Sequence, residues 1–267
     1  PKKTAALASA PTPEAIRDFC ERIGVAKADN MVEMALLEYC IREDLKMKAP
    51  RLMTVIDPIK VVLTNYPDGQ TETMKADNNQ ENEAMGSRDM TFSKHLYIER
   101  GDFMEEPVKK FFRLAPGKEV RLKYAYIIKC EEVVKDENGN IVELRCTYDP
   151  ESKSGSGANA DRKVKGTLHW VNAEDAVDVE TRVYDSLLRQ DDGDSKDFLD
   201  QINPDSLVIY HSKAEKALAD YKAGDKFQFL RQGYFVIDPD TTADHMVVNR
   251  IVGLRDTWAK MQKQKNQ

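Results

Sequence analysis

The chain has 267 residues, 41% of them hydrophobic and 32% charged, with a formal net charge of −6. A chain of this length can bury a sizeable core and divides into two or three units at roughly 100–200 residues per domain. The acidic balance excludes a generic polyanion binder, so a nucleic-acid site has to be a local basic patch, because the local field decides where an anion docks. No apolar run approaches the roughly 20 residues of a membrane span, and Cys20, Cys40, Cys130 and Cys146 show neither zinc-ligand spacing nor a disulfide framework.

Residues 1–11, rich in Ala and Lys, read as a linker or the remnant of a removed segment, too short in apolar content for a signal peptide. Thr12 stands where a helix N-cap belongs and Pro13 at the first helical position, and Ile16, Phe19, Cys20 and Ile23 recur at helical spacing up to a stop at Gly24. Asp29 or Asn30 can cap a second helix with Met34, Leu37, Ile41 and Leu45 on one face, ended by Pro50. Residues 12–46 are therefore expected to form a helical unit.

From Leu52 the period changes to two. A hairpin is expected around Pro67-Asp68-Gly69 and another around Asn138-Gly139, with Cys130 and Cys146 as cross-strand neighbours of the second. Further strands are expected at 120–126, 163–171, 176–183, 206–209, 226–230 and 234–237, whereas the acidic stretch 190–206 reads as a loop. Strands without long intervening helices predict a mainly β chain of antiparallel barrels or sandwiches. No internal repeat is visible. In "RKVKGTLHWV", Lys163, Lys165, Thr167 and His169 should face one way and Val164, Gly166, Leu168 and Trp170 the other.

The residue types point to no catalysis in this chain. The four histidines are dispersed, there is no HExxH, no Gly-x-Ser-x-Gly and no phosphate loop, and acid pairs such as Glu105-Glu106 are expected among 46 acids. The charge map is more informative. Between Lys109 and Lys129 stand Lys109, Lys110, Arg113, Lys118, Arg121, Lys123 and Lys129 against the single acid Glu119, interleaved with Phe111, Phe112, Tyr124 and Tyr126. Cations for phosphates alternating with rings that stack on unpaired bases suit loop RNA, although the same pattern also describes a solvated strand face over a core.

The stretches "APRLMTVIDPIKVVLTNY", "MGSRDMTFSKHLYIERGDF", "GKEVRLKYAYIIKCEEV", "RKVKGTLHWV" and "VGLRDTWAK", in this order, resemble the C-terminal half of the glutaminyl-tRNA synthetase family over residues 12 to 261. The resemblance implies a helical connector at 12–46, a proximal barrel from 47–108 and 187–267, and a distal barrel at 109–186, gripping the anticodon loop of glutamine tRNA. It also implies a cytoplasmic monomer that binds neither DNA nor membrane, and a parent enzyme that uses ATP and magnesium to attach glutamine. The fragment itself would be inactive and without cofactor or metal, since neither a His-Ile-Gly-His-like motif nor a Lys-Met-Ser-Lys-Ser-like loop of the family's catalytic half appears in it. Carried over residue by residue, Arg51 matches an anticodon-reading Arg of the family, Gln228 and Arg231 fall at positions that contact the middle anticodon base, Arg113 at one that reads the third, and Arg121 and Lys123 where the first is held. Lys110 stands where some members carry Gln, and Lys123 where some carry Arg; Lys lacks the planar fork of Arg. Lys163 and Lys165 would lie near the tRNA backbone. The glutamyl-tRNA synthetase of archaeal and eukaryotic type, which shares the architecture, and a protein-binding β-barrel module remain the alternatives.

Overall fold

The computed structural model describes residues 11–24, 32–188 and 201–255. Two helices, α1 (Pro13–Ile23) and α2 (Met34–Lys48), precede a mainly β body. Thr12 caps α1 by accepting the Ala15 amide at 3.2 Å and holds α2 by donating to Asp44 Oδ2 at 2.6 Å. The expected apolar face of α1 is not the one that packs: Ala15 is buried, whereas Ile16 and Ile23 are exposed. Helix α2 starts after Glu33, which offers no side-chain cap, and Asp29 and Asn30 lie outside the described residues. Its Ile41 and Leu45 pack with Ala15 and Ala49 on Tyr234, Val236, Ile251 and Val252, which seats the helical pair on one barrel.

That barrel, the proximal one, contains β1 (Arg51–Leu52), β2 (Thr54–Val55), β12 (Val177–Tyr184), β13 (Leu207–Ala214), β14 (Lys226–Phe229), β15 (Gly233–Ile237) and β16 (Met246–Val252). Its strand order is β1-β14-β15-β16-β12-β13-β2. The distal barrel contains β3 (Pro58–Leu63), β6 (His95–Glu99), β7 (Glu119–Leu122), β8 (Ile127–Lys135), β9 (Ile141–Asp149), β10 (Thr167–Leu168) and β11 (Trp170–Asn172), in the order β10-β7-β8-β9-β3-β6-β11. Sheet membership therefore cuts across the expected boundaries, since β3 and β6 join the distal sheet and β12 the proximal one. Parallel pairing of β3 with β9 and of β12 with β16 makes each sheet continuous across those boundaries.

The two sheets repeat one plan. Read along either order, successive pairs are parallel, antiparallel, antiparallel, parallel, antiparallel and antiparallel. Each sheet also closes on itself through one extended segment that pairs at both edges. In the proximal barrel this segment is β1–Met53–β2 and comes first in the chain; in the distal barrel it is β10–His169–β11 and comes last. The barrels are thus related by circular permutation, a repeat of topology to which no repeat of side chains corresponds.

The Asn138-Gly139 hairpin is present between β8 and β9, with Asp136 accepting the amides of Asn138 and Asn140 and with Cys130 opposite Cys146, both thiols free. The expected hairpin at Pro67-Asp68-Gly69 is not. The turn exists, but β3 has both edges taken by β6 and β9, so β4 (Glu72–Asp77) leaves to pair with β5 (Ser87–Phe92) as a separate ribbon. This ribbon buries Met74, Ala76, Met90 and Phe92 in the distal core with Trp170. Its tip also finishes α2: Asn79 donates to the carbonyls of Lys46 and Ala49, and Asn82 to that of Met47.

Candidate anticodon interface

The first cluster forms where β1 lies parallel to β14. Register places Arg51 beside Gln228, whose amide is held by the Pro50 carbonyl at 2.8 Å, and both side chains are largely buried. Arg51 Nη2 reaches Glu81 Oε1 at 2.8 Å, and Lys46 pairs with the same carboxylate at 3.1 Å. The bonds from Arg51 and then Lys46 hold the Glu81 carboxyl below its ordinary range. Arg51 Nε is buried without a partner among the described residues. A buried guanidinium N–H with nothing to donate to, next to an amide offering both donor and acceptor, is a site that gains from a ligand edge.

The equivalent place in the distal barrel is the pairing of β10 with β7, and the backbone follows the same course there. Gln228 bonds Pro50, Leu230 bonds Leu52 and Gln232 bonds Phe229; in the distal barrel Arg121 bonds Gly166, Lys123 bonds Leu168 and Ala125 bonds Leu122. The residue at the apex is Arg231 in one turn and Tyr124 in the other, with φ of 67° and 64°. Among the described residues three non-glycines adopt positive φ, and the third is Lys110. Left-handed backbone costs an ordinary residue about 1–2 kcal/mol, and such positions concentrate at functional sites.

Lys123 sits on the distal turn with its ammonium 4.7 Å from the centre of the Tyr124 ring. Burial lowers its pKa; the charge of Arg51 adds to that effect, and Asp77 opposes it. The two turns converge through the distal closing segment: Lys123 bonds the Leu168 carbonyl, and the next residue, His169, lies 3.1 Å from Arg231. Gln80, on the tip of the β4–β5 ribbon, donates to Tyr124 Oη at 3.2 Å. A cleft of 460 Å³ opens beside this tyrosine, lined by Thr73, Lys75, Asp77 and the loop from Lys153 to Ser156.

Arg121 builds that loop. Its Nη1 donates to the Ser152 carbonyl (2.8 Å) and Ser154 Oγ (3.2 Å), and its Nη2 to the carbonyls of Ala160 (2.8 Å) and Arg162 (3.1 Å). Four bonds consume the terminal N–H groups of the fork, so the structure places Arg121 behind the cleft wall.

Arg231 and Arg113 meet on one acid. Arg231 holds Asp102 through both ends of its fork, Nη1 to Oδ2 at 2.6 Å and Nη2 to Oδ1 at 2.8 Å, while Arg113 Nη1 lies 3.2 Å from Oδ1 and donates to the Gly101 carbonyl at 2.8 Å. The bond to Asp102 raises the Arg231 pKa further, against its burial. His169 Nδ1 lies 3.1 Å from Arg231 Nη1, so the residue that breaks the distal closing segment touches the proximal turn. The period of two placed His169 on the lysine face, but it is buried: the break at 169 turns its ring inward toward Arg231.

Lys163 and Lys165 are exposed but precede the strand, which starts at Thr167. Lys165 Nζ lies 5.2 Å from the centre of the exposed Phe112 ring. Close approach explains Gly166: a Cβ there would lie 2.5 Å from the Phe112 carbonyl oxygen. Gly166→Ala is therefore expected to push the 109–113 segment outward and destabilise the chain by about 1–3 kcal/mol; urea unfolding checks this, with an unchanged midpoint counting against the contact. Of the seven cations between 109 and 129, Lys109, Lys110, Lys118 and Lys123 have no ion-pair partner among the described residues. Asp102, Glu81 and the contact of His169 with Arg231 were missed by the sequence reading; an acid in "RGDF" carries no signal until the fold brings two arginines to it.

The family described as "tRNA synthetases class I (E and Q), anti-codon binding domain" matches residues 49–149 and again residues 167–238. The chain is 53% identical to the glutamine--tRNA ligase of Clostridium perfringens over 250 residues, covering 92% of this chain and 45% of the relative. It is 51% identical to that of Rhodopirellula baltica over 94% of the chain and 42% of the relative, and 52% identical to that of Citrobacter koseri over 93% and 45%. The chain spans less than half the length of the curated relatives it matches. Two family matches that together take in more than half of the chain, on the two barrels whose turns converge, establish that it belongs to the class I glutamyl- and glutaminyl-tRNA synthetases, as an anticodon-binding part.

Proposed function

We propose that this chain reads the anticodon loop of glutamine tRNA for a cytoplasmic glutamine-tRNA ligase, whose portion outside this chain uses ATP and magnesium to attach the amino acid. The observation that carries the reading is the strained backbone of two matched turns: Tyr124 and Arg231 adopt positive φ at the apices of the β7–β8 and β14–β15 turns, which His169 brings together, and Lys110, the third positive-φ non-glycine of the described residues, stands three positions before Arg113. In this assignment Arg51, Gln228 and Arg231 hold the middle base, Arg113 the third, and Lys123 with the Tyr124 cleft the first. Arg121 contributes through the loop it ties down, Lys110 through the loop phosphates beside Arg113, and Lys163 and Lys165 through the more distant backbone. The identities of the relatives favour glutamine over glutamate.

Fluorescence anisotropy of the chain with glutamine, glutamate and unrelated anticodon stem-loops at two salt concentrations tests this. Preference for the glutamine anticodon is expected, superimposed on a salt-dependent term, since each neutralised phosphate of a single strand contributes a slope of about −0.7 in log K against log salt. Binding that is absent, or equal for all three stem-loops, would overturn the assignment.

A further inference from the structure

We propose that Asp102 is a positioning residue that ties recognition of the middle anticodon base to recognition of the third, a role that rests on the reading above. Its side chain is almost wholly buried, yet it lies between two guanidinium groups from different parts of the fold. Arg231 comes from the β14–β15 turn of the proximal barrel, while Asp102 ends the helical turn Arg100–Asp102 that follows β6 of the distal barrel. Arg113 is brought to the same carboxylate because Leu114 bonds the Asp102 carbonyl at 3.0 Å.

The arrangement fixes which donors remain. Arg231 uses both Nη1 hydrogens, on Asp102 and His169, and one on Nη2; from a fork of five donors this leaves Nε and one Nη2 hydrogen. Arg113 is held at Nη1 by Asp102 and Gly101, which leaves Nε and Nη2, on a side chain that is half exposed. Arg231 is thus held at both terminal nitrogens and Arg113 at one, yet each keeps its Nε and an Nη2 hydrogen free, the state in which a planar donor can read a base edge with little ordering cost. Asp102 also offsets one of the two positive charges, and the nearby Glu99 acts on Arg231 in the same sense. A bare pair of arginines would attract any phosphate, whereas a cluster whose positive charge is offset by Asp102 and Glu99 favours an edge over generic polyanion contact.

The test is Asp102→Asn in the whole chain, with binding measured to the cognate stem-loop and to stem-loops substituted at the first, second or third anticodon base. Discrimination at the second and third bases is expected to fall at least 5-fold, discrimination at the first base to stay within 2-fold, and noncognate binding to become tighter and more salt-sensitive. A merely structural aspartate would not move the three positions unequally. Unchanged discrimination at the second and third bases, or equal loss at all three, overturns the proposal. Should circular dichroism show that Asp102→Asn does not fold, Arg113→Gln decides. Removing this exposed partner is expected to lower second-base discrimination, read by Arg231, at least 3-fold, and an unchanged value overturns the coupling. If the wild-type chain shows no base preference, the anticodon reading itself fails and the positioning role falls with it, whereas wild-type preference with an indifferent Asp102→Asn removes the positioning role alone.

Discussion

Arg51→Ala is expected to weaken binding of the glutamine anticodon stem-loop by about 1–3 kcal/mol, the cost of losing a good bidentate base contact. The effect should appear without a comparable loss of fold stability. The one ion pair that Arg51 makes among the described residues is with Glu81, which is 41% exposed and keeps Lys46 as a second partner, so its removal leaves no stranded buried charge. Arg51→Lys separates charge from geometry. A lysine restores attraction to phosphate but not the fork, and should recover salt-dependent affinity while leaving base discrimination poor. Equal affinity of the wild type and Arg51→Ala for the cognate stem-loop, with circular dichroism unchanged, would remove Arg51 from the interface.

The largest effect on stability should come from Arg88→Met. Arg88 on β5 holds Glu215 through Nη2 at 2.8 Å and through Nε, and the Glu215 side chain is only 4% exposed. Glu215 in turn accepts the Met53 amide at 3.0 Å and donates its own amide to the Met53 carbonyl at 3.0 Å. Removing the guanidinium leaves a carboxylate buried beside the break in the closing segment, a change that costs about 3–5 kcal/mol when one partner of a buried pair is lost. Urea unfolding of the single variant and of Arg88→Met with Glu215→Gln measures it. The glutamine keeps an acceptor for Met53 without the charge, so the double variant should regain much of the loss. A single-variant loss under about 1 kcal/mol would show that the pair behaves like a surface one.

Local chemistry made part of the fold legible. Thr12, Pro13 and Gly24 mark the ends of α1 because capping and the left-handed stop are properties of single residues, and Asn138-Gly139 marks its hairpin for the same reason. Partnership was not legible. Pro67-Asp68-Gly69 says that the chain reverses, but the choice of β9 and β6 as neighbours of β3 is made by the core. Strand β16 escaped notice because most of it is buried on both faces, so "MVVNRIV" shows no alternation, and its Asn249 is buried beside Asp238.

The site divides in the same way. Basic character with interleaved rings located the 109–129 segment, yet residue type could not tell Arg121, whose fork faces four acceptors inside its own loop, from Lys123 two positions on, which has none among the described residues. Asp102 was silent in the sequence because its meaning is a distance to two residues 11 and 129 positions away.

Each barrel has a seam, the segment that joins its first strand to its last, and the candidate residues sit along it: Arg51 two residues before Met53, and His169 against Arg231. A seam is where a closed sheet is most readily prised apart, because only a few backbone bonds hold it on each side. An RNA loop bound across both turns would contact only the closed form, and a ligand that binds one form alone stabilises it by RT ln(1 + [L]/Kd). If the chain reads the anticodon as proposed, reading it and keeping the barrels shut would be one equilibrium, with the tRNA as the clasp of the domains that select it.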